Sequence, residues 1–567
     1  MLNEKQRQVV YEMPGNIIVS ASPGSGKTKT LVARAQHKLE TIPIHKSLAL
    51  ITYTNAGADE ISYRLTDQDN KVFIGTIHRF CLEFILRPFG WIYGWNKPRV
   101  ITYDELNEFI EEKKTEFDLG SYALDDLNKI KKKLDGNLDT SVEWSHEISI
   151  EIVANSFYEF LINKKAIDFN EILYRSYKII NENDFVVTSL SNKFYEISID
   201  EFQDTNIYQY EILKTIQQKK TCSFFMVGDE KQRIYRFAGA IDKAFEKASA
   251  DFEAPIVILE VTYRSTSNII NTYSSLFENH PKLKNESKYK TVDYKVIFKQ
   301  TKKDDHNTIL ECFVEHFINK ANVTSSEIAI LSTQWRDALA VSKALRGKFR
   351  VVGLGALPHK SLNNSTFNLF RCLSRFSHSS TVRSLRVIRR AIELHVLENN
   401  LMVSETEFNY ITNSLISKFI QIDNTLSLTD GISEVQKTFD TVFKVTHSSF
   451  AELLSLIDEE EATQWTFEKY IETLSGVSGI TVNTIHQAKG LEYEVVILNQ
   501  MNENKIPHQM YLGKQNGNYV YADLTQESIE DGRTLLYVGV SRAKAVLVVL
   551  HNWKPSMFIE TLKSVNN

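Results

Sequence analysis

Lys27 and Thr28 close the loop "ASPGSGKT" (Ala21 to Thr28), and Asp200 and Glu201 stand side by side after the apolar run "YEISI". A lysine and a hydroxyl at the end of a small-residue loop are a means of holding a nucleoside triphosphate. Ala21, Ser22, Gly24, Ser25 and Gly26 let backbone N–H groups approach a phosphate chain, and a following helix adds its positive end. Lys27 would reach the β- and γ-phosphates and Thr28 would ligate Mg²⁺. The acids supply what such a loop lacks: Asp200 to hold Mg²⁺, and Glu201 to orient or deprotonate the attacking water. Either feature alone has a plain alternative, an incidental turn or a pair of surface acids. Together they read as an NTPase that uses Mg²⁺.

These residues need rigid elements to position them. Short β-branched runs alternate with helical patterns through the first 80 residues ("NIIVS", "SLALITYT", "KVFIGT") and return at "EISIDEF" and "SFFMVGD". Strands alternating with helices imply crossover units and a parallel sheet, an α/β fold. Between about Leu82 and Ala166 the texture turns to charged helical stretches, a helical insertion. A second α/β region is expected from Pro255 ("IVILEV", "YKVIFKQ", "EIAILS", "FRVVGLG"), interrupted by helices and resumed by "GITVNT", "YEVVILNQ" and "AVLVVL". The expected division is residues 1–82 and 166–254 for a first core with insertion 83–165, then 255–360 and 476–567 for a second core with insertion 361–475.

A chain of 567 residues, 43% hydrophobic and 24% charged, has material for several cores. Its four cysteines lie far apart with no C-x-x-C pair, which argues against zinc ribbons and disulfide scaffolds and suits a reducing cytoplasm. No apolar run approaches the roughly 18 residues a membrane span needs. The net charge of −5 means that any nucleic-acid contact must come from a locally basic cleft.

The motifs, in order and nearly from end to end, resemble the UvrD/Rep-type superfamily 1A helicases. "LNEKQRQVV" is similar to the family's Q motif, with Gln6 at the adenine-contacting position, and in the family's phosphate loop alanine is usual at the position of Ala21. "TYTNAGADEI" and "FIGTIHRF" resemble its two single-strand-gripping motifs, "AIDFNEIL" the segment returning from the first insertion, and "DEFQDTN" its Mg²⁺ motif. "VGDEKQRIYRFAGA" resembles the coupling motif, with Gln232 as γ-phosphate sensor. "LEVTYRST" carries Tyr263 at the adenine-stacking position and Arg264 as an arginine finger. "TIHQAKGLEYEVVIL" and "LLYVGVSRAKAVLVVL" place Glu492 near the ribose and Arg542 as the second finger.

The resemblance implies two RecA-like cores with ATP in the cleft between them, and a motor that moves 3′ to 5′ on single-stranded or tailed double-stranded DNA. A motor must tolerate every sequence, so its DNA contacts should be stacking faces and backbone donors. The candidates are Thr52, Tyr53, Thr54, Asn55, Thr76, His78, Phe80 and Phe237 in the first core, with Thr484 and His486 in the second. Each aromatic could equally serve a core. Where relatives read tryptophan–arginine in the coupling motif, this chain has Phe237–Ala238, a smaller stacking platform and one charge fewer.

Arg383, Arg386 and Arg390 share one helical face of the second insertion, a solvated face or a phosphate contact, and "IDEEEATQW" (Ile457 to Trp465) reads as a solvated helix end. The compact insertions, with "FIGTIHRFCLEFILRPFG" leading into the first, are similar to the helicase subunit of Gabija-type anti-phage systems, which implies a nuclease partner protein. A general repair or replication helicase, a nucleic-acid-sensing regulatory ATPase and a nucleotide-binding scaffold are the alternatives. No cluster of Asp, Glu and Lys outside the motor motifs suggests a nuclease within this chain.

Overall fold

The computed structural model describes the chain except residues 1, 66–70, 97, 118–122, 143, 145, 360, 361, 363, 400, 402, 458–462, 516, 517 and 567. Most of the acidic run at 457–465 therefore lies outside the described residues. The chain forms two compact units, Met1–Glu260 and Val261–Asn567.

In the first unit, β1 (Ile17–Ala21) runs into the phosphate loop and α1 (Lys27–Thr41). Then come β2 (Ser47–Thr52), α2 (Asn55–Arg64), β3 (Val72–Thr76) and α3 (Ile77–Cys81). After the insertion and α4 (Phe169–Glu182) follow β4 (Phe194–Ile199), β5 (Ser223–Gly228) and β6 (Ile256–Leu259). The six strands form one parallel sheet in the order β3-β2-β4-β5-β1-β6. Alternate residues of β1 enter opposite cores: Ile17, Val19 and Ala21 pack with Leu31 and Ala35 of α1, and Ile18 packs with Ile197 and Met226 on the far face. A strand covered on both sides must be apolar throughout, which is why "NIIVS" reads as an unbroken apolar run.

One expected boundary is corrected. The strand "IVIL", assigned from sequence to the second α/β region, pairs with β1 (Ile18 with Ile256, Val19 with Val257) and is the sixth strand of the first sheet. Its β-branched composition identifies a strand but not the sheet it joins. As an edge strand it leaves Ile256 and Ile258 41% exposed.

The first insertion builds its own core from Phe109, Leu127, Val153, Phe157 and Leu161. Its return segment pairs Ala166–Ile167 with Arg99–Val100, and the Asp168 carboxylate accepts from the Glu171 N–H at 2.7 Å to cap α4. Across the main sheet, the fully buried Arg34 of α1 holds Glu196 of β4 with Nη2 to Oε2 at 2.7 Å. Its Nη1 donates to the carbonyls of Val9 and Met13. The phosphate-loop helix is thereby tied to the strand that ends in the two acids.

The second unit carries β7 (Ile297–Gln300), β8 (Ile328–Ser332), α5 (Trp335–Leu345), β9 (Val351–Gly353), α6 (Ser365–His378), α7 (Phe467–Ser475), β10 (Ile480–Thr484), β11 (Tyr493–Asn499), α8 (Gln526–Val540) and β12 (Ala543–His551). Its strands form a second six-stranded parallel sheet, β7-β12-β11-β8-β10-β9. The helices between β9 and β10 bury Phe370, Leu415, Ile432, Phe439 and Tyr470 in a separate core.

Candidate nucleotide and nucleic-acid sites

The loop after β1 turns through left-handed glycines, Gly24 at φ 74° and Gly26 at φ 82°. Gly26 is the N-cap of α1 and offers no side chain to its first amides, so those donors remain for a ligand. Ser25 is fully buried, and its Oγ has no hydrogen-bond partner among the described residues. Gln6 is committed to this loop: its Nε2 donates to the Ser25 carbonyl at 2.9 Å and its Oε1 accepts from the Asn3 N–H at 2.9 Å. A Cβ at Gly26 would come 2.9 Å from that Nε2. The side chain assigned to adenine from sequence thus acts here as a brace for the loop.

Asp200 is anchored by its N–H to the Ile51 carbonyl at 2.8 Å and is buried. Burial, and then the charge of Glu201, push its carboxyl up to about 7, against the pull of Lys27. Glu201 sits in the left-handed region at φ 53°, which turns its carboxylate back to 3.7 Å from Lys27 Nζ. From Glu201 a line of hydrogen bonds crosses to the coupling motif. Gln203 Nε2 donates to Glu201 Oε2 at 2.6 Å, and Gln203 Oε1 accepts from the Asp229 N–H at 3.0 Å. Gln232 Nε2 donates to Asp229 Oδ2 at 2.8 Å. Any side chain at Gly228 would meet Gln203 Oε1 at 2.2 Å. Sequence reading found the ends of this line and missed Gln203 and Asp229. The signals were there, in an amide two residues after the acids and an acid ending "MVGD".

Seven of the first unit's eight candidates for DNA lie at or after the carboxyl ends of β2 and β3, and Phe237 follows β5. Tyr53, Thr54 and Asn55 are exposed, whereas Thr52 is buried and accepts weakly from the Thr54 N–H. Thr54 caps α2 through the Gly57 N–H at 3.1 Å, and Thr76 caps α3 through the Arg79 N–H at 3.4 Å. Tyr53 stacks on Tyr235 with centroids 4.9 Å apart. Tyr235 was not foreseen, although it lies two residues before Phe237. His78 meets Phe169 edge-on, and burial pushes its imidazole down to about 4, so the ring is neutral at physiological pH. Phe80 is corrected: it is fully buried among Phe73, Phe84 and Phe194 and cannot reach a base. α3 turns Ile77, Phe80 and Cys81 together into the core. Phe237 lies in the turn Arg236–Ala238, and its side chain is outside the described residues.

In the second unit the residues assigned to nucleotide meet where β11 and β12 begin. Arg264 Nε lies 2.7 Å from Glu492 Oε2, and its Nη1 donates to the Ser541 carbonyl at 3.1 Å. Burial would raise the Glu492 carboxyl, but Arg264 and Lys544 outweigh it and hold it below the usual range. Tyr263 beside them is 41% exposed. Arg542 is 2% exposed, with Nε on the Val538 carbonyl, Nη1 on Leu491 and Nη2 on Ser541 Oγ. The second expected finger is thus folded onto its own unit. At the carboxyl end of β10, Thr484 exchanges capping bonds with Gln487. His486 follows, its imidazole pushed down by burial and by Lys489.

Two family models match this chain: the UvrD/REP helicase N-terminal domain over residues 2–253 and the UvrD-like helicase C-terminal domain over residues 421–553. The chain belongs to the UvrD/Rep helicase family. It is 24% identical to an ATP-dependent DNA helicase PcrA of Staphylococcus aureus, an alignment covering 98% of this chain and 84% of the relative. A probable DNA helicase II homolog of Mycoplasma genitalium is 24% identical, over 98% and 87%.

As a UvrD-type helicase the chain is an ATP-dependent enzyme, and its first unit fits ATP with Mg²⁺. Magnesium keeps several waters and binds through one or two carboxylates plus substrate phosphates. Among the described residues no cluster of three or more His, Cys, Asp or Glu able to cage a metal occurs. The fit rests on the donor set: a buried carboxyl whose proton affinity is raised, a hydroxyl in the first turn of α1, and a buried serine oxygen left without a partner. When bound, the ion neutralises charge on the β- and γ-phosphates. Among the described residues no helix is long and apolar enough to cross a membrane.

Proposed function

We propose that this helicase binds single-stranded DNA and uses ATP hydrolysis to move along it 3′ to 5′. One observation carries the reading: the continuous line Lys27–Glu201–Gln203–Asp229–Gln232. Three residues past Gln232, Tyr235 stacks on the exposed Tyr53. A change at the phosphates therefore has a short physical route to the surface proposed to stack bases.

In this mechanism Lys27 holds the β- and γ-phosphates, and Thr28 and Asp200 are the metal ligands. Glu201 accepts a proton from the attacking water as its oxygen bonds to the γ-phosphorus and ADP departs. Gln232 senses the γ-phosphate. Arg264 and Arg542 supply charge compensation in the transition state. Tyr263 stacks adenine, and Glu492 serves the ribose in exchange for its pairing with Arg264. Thr52, Thr54, Asn55, Thr76 and Thr484 contact the strand backbone, with His78, His486 and Phe237 beside it. Glu201→Gln tests the reading. ATP binding should persist while DNA-stimulated turnover is lost, and turnover close to that of the unaltered chain would overturn the assigned role.

A second reading is a regulatory ATPase that senses nucleic acid and switches a nuclease partner, as in anti-phage defence. The coupling turn favours it: the exposed Ala238 stands where relatives carry arginine, which weakens the link from ATP to DNA. Strand displacement on a 3′-tailed duplex separates the two, since efficient unwinding by the chain alone excludes the sensor. Weighing the complex formed with its co-expressed genomic neighbour tests for the partner.

A further inference from the structure

Two histidines meet inside the second insertion, away from every motor motif. His395 belongs to the helix Val382–Glu398 and is fully buried. His447 lies in the loop after the helix Leu428–Phe443 and is 4% exposed. Their Nε2 atoms are 3.0 Å apart, a hydrogen-bond distance. Phe439 and Phe443 pack their rings against His395, with centroids 6.3 and 4.6 Å away.

The groups at either end fix which nitrogen carries which hydrogen. A carboxylate only accepts, so His447 Nδ1, 2.8 Å from Asp440 Oδ1, carries one. The same oxygen accepts from the His447 backbone N–H at 2.8 Å. A neutral His447 then has a bare Nε2, and His395 must donate to it from its own Nε2. His395 Nδ1 is left as an acceptor, and Ser365 Oγ at 3.2 Å and Asn399 Nδ2 at 3.3 Å face it as donors. The Asn399 amide is oriented by its bond to the His395 carbonyl at 2.8 Å. Every bond in the row points toward Asp440.

One more proton has no place in it. On His447 it would set N–H against N–H between the rings. On His395 it would turn an Nδ1–H against the Asn399 amide. Burial, and then the charge of His447, push the His395 imidazole down to about 3, the direction this geometry demands. The titratable groups facing the pair are the two rings themselves and Asp440 of the helix Leu428–Phe443. α6 contributes Ser365 and the end of the first helix Asn399, neither of which titrates.

We propose that this row is a proton-operated latch: a single hydrogen between the two rings fastens the helix Val382–Glu398 to the loop at 444–448, and an added proton parts them and loosens the second insertion. The sign follows from linkage. A histidine held neutral by folding contributes its full stability above its ordinary value of about 6.5. That contribution is lost as the pH falls below it, about tenfold in the closed-to-open ratio per pH unit for one imidazole. The latch stands apart from the DNA-motor reading and needs no nucleotide.

The test is hydrogen exchange of the full chain, followed by mass spectrometry from about pH 7.5 to about pH 5 and corrected for the intrinsic amide rate. Peptides covering the loop at 444–448 and the helix Val382–Glu398 should open about tenfold more per pH unit below about 6.5, while β1 and α1 stay protected. H395Q keeps a donor for His447 and an acceptor for Ser365 but takes up no proton, so its opening should hardly vary with pH. The unaltered chain decides on its own should that variant fold poorly: opening of these segments that is flat across the range overturns the latch. So does a slope in H395Q as steep as in the unaltered chain, since another group would then be titrating. Protection of the same segments by added Zn²⁺, lost in H395Q, also overturns it, because a metal rather than a proton would then join the imidazoles.

Discussion

The two sheets have the same strand count and the same parallel run, yet they use different edges. In the first unit the phosphate loop, both acids and the DNA candidates lie at or past the carboxyl ends of β1 to β5, with Phe237 after β5. In the second, Glu492 and Arg542 precede the first residues of β11 and β12, while Thr484 closes β10 at the opposite edge. The units also differ in readiness. Glu201, Gln203 and Asp229 are already joined, whereas Arg264 is paired with Glu492 and Arg542 with backbone carbonyls. One unit is built to hold a triphosphate at rest. In the proposed mechanism the arginines of the other would have to give up these partners before meeting a phosphate.

If the exchange is what drives catalysis, Arg264→Ala should cost the most, about 10³-fold or more in kcat, with ADP binding nearly unchanged. A loss below tenfold would leave the second unit without a catalytic part. Glu201→Gln should follow, lowering turnover by about 10² to 10⁴-fold while ATP still binds in a filter or fluorescence assay. Gln203→Ala removes a hydrogen bond to a charged group, a loss of about 1.5–3 kcal/mol. It should lower DNA-stimulated turnover more than basal turnover, and equal losses would mean that the line of bonds does not couple the two. Tyr235→Ala should weaken oligo-dT binding by about 1–3 kcal/mol with basal ATPase preserved, measured by anisotropy. Smallest, Glu492→Ala should change the ATP KM by about a factor of a few. A lower KM means that its pairing with Arg264 restrains the arginine, and a higher one that the ribose contact dominates.

Much of this was legible in the sequence, and what was not has a common cause. Strand, loop and helix are local, so "NIIVSASPGSGKT" and "YEISIDE" announce their elements and their chemistry. The direction a side chain faces is not local. Phe80 sits in the same short run as Thr76 and His78, but the turn of α3 sends it into the core. β6 reads as an apolar β-branched run like the strands around it, and only its pairing with β1 shows where it belongs. Gln203 acquires its role because β5 brings Gly228 against it. Arg542 matches its motif, yet the carbonyls that hold it come from Val538 and Leu491.

The pairing of Arg34 with Glu196 has a mechanical meaning. A charge pair sealed from water tolerates little drift, because separating the partners strands each in a medium that cannot solvate it, at about 3–5 kcal/mol when one is lost. The phosphate-loop helix and the acid-bearing strand therefore cannot slip past one another by fractions of an ångström as load builds. Any displacement of the phosphate loop is therefore shared by the strand that ends at Asp200.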